Sequence, residues 1–265
     1  MPFRDLQTDL FTPASGWTTG RRRLSPDVTA PAARTEVTDR SRNDESVRNI
    51  NQIYESRFDA ADAMRKDAIW REVSAYLQRF IDPNARVLDI ACDRGHFIRN
   101  VCAKEKWATD IRDVSHYLTA DVRFVQANAL QLHEVLPQSY FDNVFISNYL
   151  EHLPSGDAVV ELLVAVRKLL KPHGRVIVLQ PNIRLIGGAY WNFIDHRVAL
   201  TDHSLVEAAI LAGLSTVHLV ERFLPFTTKN RLPQHPMFVR AYLLFRPAWF
   251  ALGKQTLYIG ERNGS

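Results

Sequence analysis

The sequence predicts an α/β sandwich of about seven strands, and three observations carry that reading. Short apolar runs alternate with longer stretches in which apolar residues recur at steps of three and four, the period of a helix. The short runs are nearly continuous in apolar character, as strands of a parallel sheet covered on both faces are. Finally, 265 residues of which 46% are hydrophobic and 23% charged can bury one large core with additions, which excludes a disordered tail or a fibre.

Taken in order, residues 1–45 lack periodicity and are rich in Thr, Arg, Asp, Ser and Pro, so a flexible arm is expected there. Residues 46–85 are expected to form a helical cap: Ile50, Ile53, Tyr54 and Phe58, then Ala68, Ile69, Val73, Tyr76, Leu77 and Phe80, keep helical spacing. A domain over 86–265 follows. Its strands are read at 86–91, 106–110, 122–126, 140–148 and 174–179, and its first helices at 95–104 and 156–170. In the second of these, Val159, Leu162, Leu163, Val166, Leu169 and Leu170 share one face. A helix at 204–212 leads to a strand at 215–220, an insertion occupies 222–254, and a last strand is read at 255–259.

The net charge of +4 is unevenly placed: residues 222–265 hold seven Lys and Arg against one acidic residue, and eight of the 27 aromatics. An insertion of this size needs its own burial or its own partner. A helical cap or homodimer contact with a solvated basic rim ranks first, an anionic substrate pocket second and peripheral membrane contact through 222–254 third. Nucleic acid is not favoured, because the cations are spread rather than clustered in a stripe. The apolar run 236–252 is broken by Arg240 and Arg246, so no membrane span is expected, and no apolar stretch of signal-peptide length opens the chain. Cys92 and Cys102 can build neither a disulfide framework nor, without clustered His, a zinc site. A cytoplasmic protein is the expectation.

The segment Arg86-Val-Leu-Asp-Ile-Ala-Cys-Asp-Arg-Gly95 puts an acidic residue inside an apolar strand and follows it with a short turn. Such a turn aims backbone N–H groups at a ligand beyond the carboxyl end of the sheet. Asp110, at the end of the second strand, is placed to accept hydrogen bonds from a ribose diol. The plainer alternative is that Asp89 orders the turn and Asp110 merely ends a strand.

These residues resemble the class I S-adenosylmethionine-dependent methyltransferases. Further matches are Phe141-Asp-Asn-Val-Phe-Ile-Ser-Asn148 with Leu150-Glu-His-Leu153, and Arg167-Lys-Leu-Leu-Lys-Pro-His-Gly-Arg-Val-Ile-Val178. The resemblance covers about 86–221 and reaches the last strand. It implies a Rossmann-like class I methyltransferase sandwich with N-terminal helices and a C-terminal helical insertion, and S-adenosyl-L-methionine as cofactor. It also implies that Asp89, Ala91, Asp93 and Gly95 form the cofactor turn, that Asp110 holds ribose, that Asn128 and Ala129 lie by the adenine, and that Asn148 lies beside the transferable methyl. The turn departs from the family at Ala91 and Asp93, where glycines are usual. Either the Asp93 side chain turns away or pairs with Arg94 or Arg99, leaving binding intact, or the cofactor site is weakened, altered or lost.

For such a transfer a hydroxyl or amine acceptor needs a base. His152 follows the fourth strand and is one candidate; the alternative is that the Glu-His pair only shapes its loop. His196 with Asp195 is the second candidate, while Tyr190 and Trp191 offer flat faces for a planar or sugar-like acceptor. The alternative for this cluster is a packed lid. Arg222 opens the basic insertion and is a candidate contact for a polar substrate. No metal-ligand spacing is visible, so no metal is expected. The string from Trp191 through Arg222-Phe-Leu-Pro-Phe-Thr-Thr-Lys to Gly253-Lys-Gln is similar to a bacterial methyltransferase group of polysaccharide and secondary-metabolite gene sets, which implies a small-molecule acceptor, saccharide or natural product. The alternative function is a methyltransferase-fold protein whose altered turn serves non-methylating chemistry or a binding-partner role.

Overall fold

The computed structural model describes residues 60–226 and 235–264, all within the compact unit Ser46–Ser265. The expected arm at 1–45, the first part of the cap and residues 227–234 of the insertion lie outside the described residues.

The expected α/β sandwich is what forms. Strands β1 (Arg86–Ile90), β2 (Glu105–Asp110), β3 (Val122–Gln126), β4 (Phe141–Ser147), β5 (Leu170–Pro181), β6 (Leu214–Leu224) and β7 (Gln255–Arg262) join in one sheet of order β3-β2-β1-β4-β5-β7-β6. The first five run parallel, and β7 is antiparallel to both β5 and β6. The strand order reverses between β1 and β4, so the site of an open α/β sheet falls beyond the carboxyl ends of these two strands.

Strand alternation divides the core between the two faces. Leu88, Ile90, Val144, Ile146, Val176 and Val178 point to one side, covered by helices α3 (Gly156–Leu169) and α5 (Asp202–Leu211). Val87, Phe145, Ile177, Leu179, Leu257 and Ile259 point to the other, covered by α1 (Ala60–Leu77) and by α6 (Pro236–Leu244) and α7 (Arg246–Leu252). The short α2 (Leu132–Val135) and α4 (Ile183–Ile186) complete the helices among the described residues. Helix α3 buries the apolar face read from its sequence, and its start is capped by Ser155, whose side chain accepts from the N–H of Ala158.

Three boundaries differ from expectation. Residues 95–104 form successive turns rather than a helix. The Asn100 amide donates to the His96 carbonyl at 2.7 Å, taking the acceptor its own N–H would use in a helix, and that N–H bonds Phe97 instead. Strand β5 begins earlier than expected, at Leu170, then bulges before Arg175 resumes the register with Asn143. Within the bulge His173 sits at φ 63°, and a Cβ on Gly174 would come within 2.9 Å of the Lys171 carbonyl oxygen. Strand β6 continues through Leu224, so Arg222 belongs to the sheet rather than to the insertion. No described helix is long and apolar enough to cross a membrane.

Candidate active site

The β1 turn keeps the backbone its sequence seemed to forbid. Ala91 (φ 54°), Asp93 (φ 49°) and Gly95 (φ 67°) are all left-handed, so two positions where the resembling family carries glycine hold that conformation with side chains attached. At Gly95 a Cβ would lie 2.3 Å from Leu118 Cδ2, so a side chain there would require that methyl to move. Asp89 is buried beneath the turn, and burial, with Asp110 and Asp93 nearby, pushes its carboxyl well above the usual carboxylate range.

Asp93 does pair, but with neither arginine proposed for it. Its Oδ1 accepts from Arg112 Nη2 at 3.1 Å and its Oδ2 lies 3.7 Å from Lys66 Nζ. Arg94 instead covers the Tyr117 ring, and Arg99 pairs with Asp67 on α1. Arg112 and Lys66 escaped sequence reasoning because β2 and α1 supply them from outside the motif. A local signal existed for Arg112: two residues after Asp110, its N–H is where an Asx turn would bind it.

Asp110 is 5% exposed. Its Oδ1 accepts from the Arg112 N–H and from Arg112 Nε, both at 3.0 Å, and its Oδ2 from the Asp93 N–H at 3.1 Å and Arg112 Nη2 at 3.2 Å. After β3, Asn128 caps a short turn by accepting from the Leu130 N–H, and Ala129 is buried in the core. Asn148 ends β4 at φ 48°, with its side chain donating to Ser147 Oγ.

A second cluster gathers beyond β4 and β5. The backbone oxygen of Glu151 accepts from the N–H groups of Arg197 and Val198, which ties the loop of the 190s to the β4 loop. His152 Nδ1 lies 3.0 Å from the Asp195 carbonyl oxygen and 3.3 Å from its Oδ2. Both are acceptors, so a hydrogen belongs on Nδ1, and Nε2 is the ring nitrogen left for other partners. Nε2 faces Glu151 Oε1 at 3.9 Å. The His152 and His196 rings are 5.1 Å apart, and His196 stacks on Phe193. Thus the two alternative candidates, His152 and the Asp195–His196 pair, come together, with Asp195 set against His152 and Glu151 as a member the sequence reading left to loop shape. An oxygen of Glu151 and one nitrogen from each histidine lie within 4.8 Å of one another, a grouping able to hold an ion although sequence spacing predicts no metal.

Two substrate candidates are corrected in their setting. Tyr190 is fully buried, with its hydroxyl donated to the Val198 carbonyl, so neither face of its ring is open for stacking. Trp191 is 53% exposed and keeps that capacity. Arg222 is engaged by Glu221 and by the carbonyl and ring of Phe250, an anchor for the start of the insertion.

Glu151 Oε2 and both amide atoms of Gln180 are buried outside good hydrogen-bond geometry, although the Gln180 side chain lies near enough to Glu151 to oppose the upward push of burial on its carboxyl. Such weakly satisfied polar groups beyond the carboxyl ends of β4 and β5 fit a polar ligand laid across the strand ends.

The family profile of a methyltransferase domain matches residues 61–219. The chain belongs to this methyltransferase family. It is a class I enzyme whose cofactor is S-adenosyl-L-methionine. Among solved structures it is similar to a SAM dependent methyltransferase from Archaeoglobus fulgidus, with 21% identity, TM-score 0.52 and coverage of 72% of this chain and 94% of that one. It is also similar to the complex of the Haloferax volcanii Trm112 methyltransferase activator with its putative methyltransferase, at 15% identity and TM-score 0.56 over 77% of this chain and 95% of that one. At these identities the likeness is one of fold. A probable non-canonical nonribosomal peptide synthetase of Salinispora arenicola is 34% identical over 103 residues, 35% of this chain, and the match spans 1% of that protein's length.

Proposed function

We propose that this methyltransferase acts on an oxygen or nitrogen of a small polar acceptor, a saccharide or secondary metabolite, with His152 as the base. The observation that carries this reading is the Asp195 carbonyl at 3.0 Å from His152 Nδ1, which leaves Nε2 as the atom able to take a proton. When bound, S-adenosylmethionine supplies an electrophilic methyl group. The Ala91–Gly95 turn and Asp89 would hold its amino-acid part, Asp110 its ribose, Asn128 and Ala129 its adenine, and Asn148 would line the methyl side. His196 sets the position of the His152 ring from its stack on Phe193, and exposed Trp191 offers the acceptor a flat wall. The partial likeness to a peptide synthetase and the similarity to methyltransferases of saccharide and natural-product gene sets support the acceptor class.

Replacing His152 with Ala is expected to lower kcat ~10²–10⁴-fold while S-adenosylhomocysteine binds as in the wild type. Equal losses in both would make His152 a structural residue. A second reading comes from the proximity of Glu151, His152 and His196: an ion held there would activate the acceptor instead, and turnover lost on EDTA treatment and regained with a divalent metal favours it.

The domain reading stands as part of this proposal: residues 46–85 form the helical cap, and the insertion, starting after Leu224 rather than at 222, extends the acceptor side. Exposed Phe238, Phe245 and Phe250 beside Arg240 and Arg246 support an outward contact surface, for an anionic membrane or a second copy. Two free thiols, Cys92 and Cys102, support a reducing, cytoplasmic setting.

A further inference from the structure

We infer that Arg112 is a latch on the cofactor site, its guanidinium held on Asp110 and handed to Asp93 when ribose takes its place. This rests on the reading of Asp110 as the ribose ligand. An ionised carboxylate offers about four lone-pair positions. At Asp110 four donors occupy them: the N–H groups of Arg112 and Asp93, and Nε and Nη2 of Arg112. No position is left for a ribose diol.

Two of those donors are backbone and hold the turn together. The other two belong to a side chain and can leave. A guanidinium that leaves a buried carboxylate needs another anion at hand, because an unpaired charge in a nearly buried setting is costly. Asp93 supplies it, already bonded to Arg112 Nη2 at 3.1 Å. Lys66 reaches the other oxygen of Asp93 at 3.7 Å from α1, so the carboxylate sits between two cations and keeps its charge balanced as Arg112 shifts.

This accounts for the departure at the middle of the turn. An aspartate in the left-handed conformation at φ 49° costs backbone energy that glycine would not. In exchange it provides a landing point for Arg112 one hydrogen bond away from Asp110. The latch is thus built from a side chain two residues beyond the ribose ligand and the side chain at the middle of the turn.

The opposing expectation is sharp: restoring the family's glycine at 93 should help binding if Asp93 merely repels the cofactor, and should harm it if Asp93 receives Arg112. Calorimetric titration with S-adenosylhomocysteine on the full chain decides between them. Arg112→Gln is expected to bind about fivefold or more tightly than wild type, Asp93→Gly to bind several-fold more weakly, and the double variant to resemble Arg112→Gln, a coupling of the size usual between linked sites. Arg112→Lys, which keeps the charge but cannot bridge both oxygens, should fall between wild type and Arg112→Gln. Circular-dichroism melts of each variant show whether it is folded. Unchanged or weaker binding by folded Arg112→Gln and Arg112→Lys, or tighter binding by Asp93→Gly, overturns the latch alone. Absence of binding in wild type and in Arg112→Gln overturns the latch and the cofactor reading of Asp110 together.

Discussion

Gly95 and His173 share a left-handed backbone but not an environment. Gly95, at φ 67°, has Leu118 Cδ2, the movable end of a half-buried side chain, 2.3 Å from where a Cβ would stand, so Gly95→Ala asks that methyl to shift and carries mainly a conformational cost. A loss of about 1–2 kcal/mol is expected from urea unfolding. His173, at φ 63° in the β5 bulge with a side chain 73% exposed, carries the conformational cost but faces Glu261 at 3.4 Å. His173→Gly relieves the backbone and loses that exposed pair, so it is expected to change stability by less than about 0.5 kcal/mol in the same measurement, after the wider freedom of the unfolded glycine is counted. The sequence showed two of the strained positions, because Ala91 and Asp93 stand where the resembling family usually carries glycine. It did not show the partners. Arg112 and Lys66 reach Asp93 across the fold, and aromatic composition alone could not tell the buried wall Tyr190 from the exposed Trp191.

Among the elements, the helices of the insertion behave as a cap on one side and as a bare surface on the other. Trp249 in α7 packs edge-on against Tyr76 of α1 and Phe223 of β6, and its indole N–H donates to the Tyr242 carbonyl at 2.9 Å. The next residue, Phe250, points away from that contact and is 78% exposed. Trp249→Ala should cost ~3–5 kcal/mol in urea unfolding through the cavity it opens. Phe250→Ser with Phe245→Ser should cost well under ~1 kcal/mol. If the outer face meets anionic membranes, that double variant loses co-sedimentation with phosphatidylglycerol vesicles that the wild type shows; if it meets a second copy, the wild type ignores vesicles and the variant alone changes its mass by light scattering. Helical periodicity over 156–170 gave α3 correctly because its apolar stripe is unbroken, whereas 95–104 misled because a single asparagine amide competes for the helix acceptor. The basic aromatic composition of 222–254 announced an addition but could not divide it into a buried face and an exposed one.

Across the whole molecule, the parallel part of the sheet was legible from alternating elements, while β7 was read only as a last strand and nothing in its residues announced its antiparallel place between β5 and β6. That strand is joined to its surroundings by polar groups. Asp202 at the start of α5 accepts from Asn182 Nδ2 and Arg184 Nη2, both at 2.8 Å; Asn182 also donates to Thr256 Oγ1 of β7, and Arg184 pairs with Glu221 of β6. Burial pushes the Asp202 carboxyl upward, but the bonds from Asn182 and Arg184 outweigh it and hold the carboxyl below its usual range. A folded-state value lower than the unfolded one means that the unfolded chain takes up the proton first. The contribution of Asp202 is therefore complete above the unfolded value of about 3.9 and is lost as pH falls through the lower folded value. Glu261, held low first by its bond from Arg175 and further by His173, adds a loss of the same sign. Urea midpoints at pH 6, 4 and 3 should show wild type losing more stability over the lower interval than Asp202→Asn, which starts lower and falls less. Parallel decline of the two proteins would mean that Asp202 titrates alike folded and unfolded, and that the junction of β5, β6 and β7 is held by its apolar contacts alone.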